Sequence, residues 1–103
     1  MTDRNPREAS GAPDLSVVIS THARPAQVRE AIAAVQAQDH AGPIETLVVW
    51  DKTEPEWELA VDDALRPVRI LANDRTPGLP GSRNCGAAAA SAPVLGFCDD
   101  DDL

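Results

Sequence analysis

Four short runs rich in aliphatic and β-branched residues, each followed within two residues by polar ones, constrain the fold of this chain more than any other feature. They are Leu15 to Ser20, Ile44 to Trp50, Val68 to Leu71 and Val94 to Cys98. Their length and composition predict strands, and Leu47-Val48-Val49-Trp50 is apolar on both faces that a strand presents, which calls for cover on both sides of a sheet. Helix signals separate the runs. Pro25 suits a first helical turn, and Val28, Ala31, Ile32 and Val35 follow at i, i+3, i+4 and i+7, so the spacing predicts a helix to about Gln38. A second helix is predicted over about Pro55 to Leu65, with Trp57, Ala60, Val61, Ala64 and Leu65 on one face and Pro67 ending it. A third runs from Gly81 to about Ser91, with Pro93 beyond it. The order β-α-β-α-β-α-β implies an α/β fold with a parallel sheet, because right-handed crossovers lay each helix over the sheet.

Such a sheet gathers polar residues that are distant in sequence. Thr21, His22 and Arg24 follow the first strand, Asp51 the second, Asn73 to Arg75 the third, and Asp99 to Asp102 the fourth. All four sets fall at carboxyl ends, where open α/β sheets bind ligands. In an extended segment alternate side chains share a side, so Asp99 and Asp101 are expected to face one site and Asp100 the other. Neighbouring carboxylates some 6 Å apart repel by about 3 kcal/mol at an effective dielectric near 20. A divalent ion such as Mg²⁺ or Mn²⁺ would offset that and keep positions open for substrate phosphates. A solvated acidic tail is the other reading of such a run. Thr21 and Asp51 likewise suit strand-end turns on structural grounds alone, and Arg83 suits a surface ion pair.

Composition narrows the partners. The chain has 103 residues with a net charge of −8, which disfavours nucleic acid or an anionic membrane as a partner, since both demand a basic face. No apolar run approaches the roughly 20 residues of a membrane span, and Met1 to Asp14 is polar rather than a signal peptide, so a soluble chain is expected; two cysteines read as reduced make the expected setting cytoplasmic, with membrane association of a longer parent left open. Residues 1–13 are expected to be a disordered tail, leaving 14–103 as one domain. Cys85 and Cys98 fit neither a metal spacing nor a disulfide framework and read as reduced, buried thiols. His22 reads as a loop residue and His40 has no role. Trp50 and Trp57 read as core, with Trp50 also a candidate to stack on a base.

The stretch Leu15-Ser16-Val17-Val18-Ile19-Ser20-Thr21-His22-Ala23-Arg24-Pro25 resembles the opening of family 2 glycosyltransferases, usually S-V-V-I-P-T-Y-N-R-P. Asn73 to Ala88, with Gly78, Arg83, Asn84 and Gly86, is similar to that family's N-x-G-x-x-x-A-R-N-x-G-x-x-x-A, and Leu95 to Asp102 to its strand ending in D-x-D. Three motifs in order make a specific signal. The resemblance implies a Rossmann-like GT-A nucleotide-diphospho-sugar-binding half, an enzyme that transfers a glycosyl group from a donor, here most simply a UDP-sugar, to an acceptor hydroxyl with inversion. By position it implies that Thr21 and Asp51 hold the nucleobase and that Arg83 and Asn84 lie near the sugar-nucleotide. Arg24 joins them, Asp99 contacts the ribose, and Asp101, with Asp99, holds the metal. Asp100 shares either role.

The chain departs from the pattern at Ser20, where Pro is usual, at Ala23, and at Trp50-Asp51-Lys52-Thr53, which replaces D-D-G-S. The acceptor half that follows D-x-D in the family, with its general base, is expected beyond Leu103, so no catalytic residue is assigned and the fragment alone is expected to bind donor without turnover. A nucleotidyltransferase would carry a Gly-rich loop after the first strand, and Thr21 to Pro25 has no glycine. A non-catalytic acidic or metal-binding remnant is the remaining alternative.

Overall fold

The computed structural model describes residues 13–22, 25–38 and 42–99. Four strands, β1 (Leu15–Thr21), β2 (Ile44–Trp50), β3 (Val68–Ala72) and β4 (Val94–Asp99), form one sheet in the order β3-β2-β1-β4, and every pairing is parallel. Two helices, α1 (Pro25–Gln36) and α2 (Leu79–Ala89), complete the fold. The α/β class and the parallel sheet expected from the sequence are present. The chain steps outward from β1 to β3 and then crosses back to place β4 on the free side of β1. Right-handed crossovers in opposite directions put their helices on opposite faces.

Each face has its own core. The predicted stripe Val28, Ala31, Ile32 and Val35 of α1 packs on Ile19, Val48, Trp50 and Ile70. On the other face Cys85 of α2 packs with Val18, Leu47 and Val49. There α2 lies hard against the sheet: a Cβ on Gly86 would sit 2.4 Å from Val18 Cγ1, so only glycine fits at that crossing. Cys98 packs against the α1-side cluster, as expected of a strand residue opposite Asp99, and Cys85 is buried.

At the amino edge of the sheet lies a polar knot that the sequence reading missed. Glu45, 4 % exposed, accepts from Ser16 Oγ at 2.7 Å and the Ser91 amide at 2.9 Å on Oε2, and from Arg69 Nη1 at 3.3 Å on Oε1. Ser16 Oγ in turn accepts from the Ala92 amide at 3.1 Å. These bonds fasten the link between α2 and β4 to the bottom of β1 and β2. Ser16 and Glu45 are register partners, a signal that appears only once the strands are aligned.

The predicted helix over Pro55 to Leu65 is not formed. A single 3-10 turn spans Trp57–Leu59, and Val61 then pairs with Val68 as an antiparallel bridge through two 3.0 Å backbone bonds. The Leu65 carbonyl accepts from the Ile44 amide, the Pro67 carbonyl from the Thr46 amide, and the Asp63 side chain from the Arg66 amide. The Val61 amide and carbonyl, which a helix would consume internally, are thus spent on β3, the Leu65 and Pro67 carbonyls anchor the start of β2, and eleven residues holding Asp62-Asp63 nucleate a helix poorly. Trp57 is consequently 53 % exposed rather than core, with its indole N–H donating to Glu54, whereas Trp50 is buried as expected. The last helix begins two residues earlier than predicted, with Pro80 in its first turn, where the missing N–H costs nothing. No helix among the described residues is long and apolar enough to cross a membrane.

Candidate functional site

The crossing of the chain makes the carboxyl ends of β1, β2 and β4 neighbours, with β1 in the middle. The reversal of strand order lies there, which is where doubly wound sheets open a crevice. Thr21 closes β1 and is buried, and its carbonyl accepts the Asp51 amide at 3.0 Å, so the first two predicted base-binding residues are brought together.

Asp51 is the best-organised residue of the rim. It is 8 % exposed; Oδ1 accepts from Asn73 Nδ2 at 3.0 Å and Oδ2 from the Gly78 amide at 3.0 Å. Asn73 Nδ2 also donates to the Thr76 carbonyl, its Oδ1 accepts from the Arg75 amide, and its own amide donates to the Trp50 carbonyl. Gly78 adopts φ +108°, a conformation glycine reaches freely, and this aims its amide at Asp51 just before α2 begins. One carboxylate therefore sets the path of the 73–78 loop and the start of α2. The Asn73 hydrogen bond does most to hold the Asp51 carboxyl below its usual range; burial opposes this, and the Gly78 amide, Lys52 and His22 reinforce it. Asp51 is thus a fixed, ionised acceptor. Asn73 and Gly78 belong to the site although neither was assigned to it. Their cue in the sequence was an Asn and a Gly bounding a loop directly after a strand.

Arg83 and Asn84, adjacent in α2, diverge. The Arg83 guanidinium lies over the Phe97 ring at 5.5 Å from its centroid, on the β4 side of the rim. Asn84 is exposed and lines a groove of about 560 Å³ with Arg75, Thr76, Pro77, Pro80 and Gly81. Asp99 is the last residue of β4, its Cα in register with Ser20. Arg24, Asp100 and Asp101, like His40 and residues 1–12 of the tail expected over 1–13, lie outside the described residues, whereas Pro13 is described and buried. Among the described residues no three His, Cys, Asp or Glu side chains gather as metal ligands. Buried hydroxyls of Ser20 and Ser82 and the Trp50 indole N–H make no hydrogen bond. Ser20, 9 % exposed and beside the start of the Asp quartet, therefore brings unused hydrogen-bonding capacity to the edge where β4 ends.

Residues 16–103 match the family described as glycosyl transferase family 2. The chain belongs to that family. Family 2 glycosyltransferases act on a nucleotide-sugar donor and an acceptor, commonly with a divalent metal, and the parallel sheet with its strand-order reversal is the Rossmann-like half of the GT-A architecture that the motifs implied.

Proposed function

We propose that residues 14–103 form the donor-binding portion of an inverting glycosyltransferase that takes a UDP-sugar and directs its glycosyl group to an acceptor hydroxyl. One observation carries this reading: in a chain of this family, a buried, ionised aspartate ends β2 on the same rim that receives the acidic end of β4, with β1 between them. Asp51 and Thr21 hold the nucleobase. Each Asp51 oxygen spends one lone pair on the loop and keeps another for a ring N–H of the base. Arg83, steadied by Phe97, supplies a delocalised cation for phosphate or sugar oxygens, and Asn84 and Arg24 complete the sugar-nucleotide contacts.

The donor set of the quartet is all carboxylate oxygen, and Ser20, whose hydroxyl makes no hydrogen bond, is in register with its first member, Asp99, which fits a hard divalent cation with its waters or a phosphate oxygen. Asp101 and Asp99 would hold Mg²⁺ or Mn²⁺, with Asp99 and Asp100 also reaching the ribose. When bound, such a cation absorbs the negative charge that builds on the leaving diphosphate. No residue is assigned as general base on the acceptor, and the chain by itself is expected to bind donor without transferring sugar. Calorimetric titration with UDP, with and without Mn²⁺, tests the reading. Metal-dependent binding that Asp101→Ala abolishes supports it; absence of binding under both conditions refutes it.

A further inference from the structure

Lys52 stands at φ +65°, the one non-glycine residue among those described with a left-handed backbone. An L side chain is strained in that conformation, which glycine adopts freely. It follows Asp51 directly, at the carboxyl end of β2, and is exposed. This is also where the chain carries Trp50-Asp51-Lys52-Thr53 instead of the D-D-G-S usual in the family, so a strained lysine occupies a place that a glycine would fill at lower cost. Its charge bears on the Asp51 carboxylate, with less effect than the Asn73 hydrogen bond, burial or the Gly78 amide. The turn itself does not need an ammonium: Thr53 Oγ1 reaches back to the Asp51 carbonyl at 3.4 Å, and the Asp51 amide is held by Thr21.

Position decides what the ammonium can meet. β2 and β4 flank β1, so their ends lie two strand spacings apart, about 10 Å. Arg83 over Phe97 is at the β4 end with the start of the Asp quartet, and Lys52 is at the β2 end with Asp51. A nucleoside diphosphate laid across the rim with its phosphates toward β4 presents its base, not its phosphates, to Lys52.

We infer that Lys52 is a specificity-determining residue that, paired with Asp51, selects donors whose base carries a keto oxygen beside a ring N–H. Uracil, thymine and guanine offer that pair, the N–H to the Asp51 carboxylate and the carbonyl to the Lys52 ammonium. Cytosine and adenine set an exocyclic amino group where the carbonyl would be, so donor meets donor, and they have no ring N–H for Asp51. A site that hydrogen-bonds one polar edge rejects the analogue lacking it more strongly than an apolar pocket could. The inference rests on the donor-site reading and assigns it a class of base.

The test is calorimetric binding of UDP, dTDP, GDP, CDP and ADP, with Mn²⁺ present, to the full chain and to its Lys52→Met and Lys52→Gly variants. The native chain is expected to favour the three keto-base nucleotides by about tenfold or more, the effect of one hydrogen bond from a charged donor. Both variants should narrow that preference, chiefly by weakening the keto-base nucleotides, and keep the part that the Asp51 carboxylate reads from the ring N–H. Lys52→Gly should also unfold at or above the native temperature, since it relieves the left-handed strain, which separates recognition from folding. Uniform weakening of all five nucleotides, or unchanged selectivity, overturns the inference while leaving the donor site standing. Failure of the native chain to bind any of them overturns the donor-site reading, and this inference with it.

Discussion

Replacing Asp51 by asparagine probes the site and the fold together. The substitution turns one carboxylate oxygen into an NH₂, yet both oxygens receive donors at 3.0 Å, one from Asn73 and one from the Gly78 amide. Whichever way the new amide turns, one donor faces another. A hydrogen bond to a charged group contributes roughly 1.5–3 kcal/mol net, and an unmatched buried donor costs about 1–3 kcal/mol. These losses overlap, so about 3 kcal/mol is expected, a large part of the roughly 5–15 kcal/mol that holds an ordinary domain. At about 4–8 °C per kcal/mol for a chain of this size, the unfolding midpoint should fall by about 15 °C near pH 7. Acid should erase the difference. The folded-state pKa of Asp51 lies below its ordinary 3.8, so its contribution is fully present above that value and is lost as pH falls through the lower folded value. Thermal unfolding followed by circular dichroism at neutral and acid pH is the assay. A midpoint within about 3 °C of the native chain at neutral pH, or a gap that does not narrow in acid, would refute the argument. Asn73→Ala should lose part of the same energy, and the double variant should be non-additive.

Other outcomes follow from the packing. Glu45→Ala removes the acceptor of Ser16 Oγ and of the Ser91 amide at the amino edge, while Arg69 keeps its bond to the Ala89 carbonyl, and should cost about 3 kcal/mol in urea unfolding, whereas Asp63→Ala, on the exposed link, should cost under about 1 kcal/mol. Gly86→Ala drives a methyl into Val18 and should lower the urea midpoint by the equivalent of about 1–3 kcal/mol; a neutral result would mean that α2 can lift from the sheet. Phe97→Leu removes the ring beneath Arg83 and should weaken UDP binding more than it weakens the fold, where a partly exposed cation–π contact is worth about 0.5–1 kcal/mol. With a thiol reagent at mildly alkaline pH, Cys98 should react before Cys85, whose thiol burial pushes above its usual pKa; simultaneous labelling would contradict that ordering.

The elements read most readily in the sequence were those whose partners are built into their own periodicity. The stripe Val28, Ala31, Ile32, Val35 specifies a helix with one apolar face wherever a sheet is offered, and the apolar run of β2 specifies burial on both sides; each is present as read. Alternation of strands and crossovers was enough to put Thr21, Asp51 and Asp99 on one rim. The segment after Asp51 was read by the same periodicity and lost its helix, because the bridge from Val61 to Val68 and the bonds from Leu65 and Pro67 to β2 answer to strands distant in sequence. No local pattern contains that competition.

Local chemistry made Asp51 a candidate, and tertiary structure alone decided what it does. Its amide is held by Thr21 across a strand pair, its oxygens by a side chain and an amide from the loop before α2, and its neighbour Lys52 by a backbone conformation visible only in three dimensions. Glu45 and Ser16 follow the same rule: either alone is an odd polar residue in an apolar strand, and register makes them a pair. Composition and spacing determined the class of fold and the edge on which its chemistry gathers, since helix and strand periods are properties of the chain. Which polar groups are satisfied, strained or left with unused capacity is set by contacts between segments tens of residues apart, and these exist only after the sheet has closed its register.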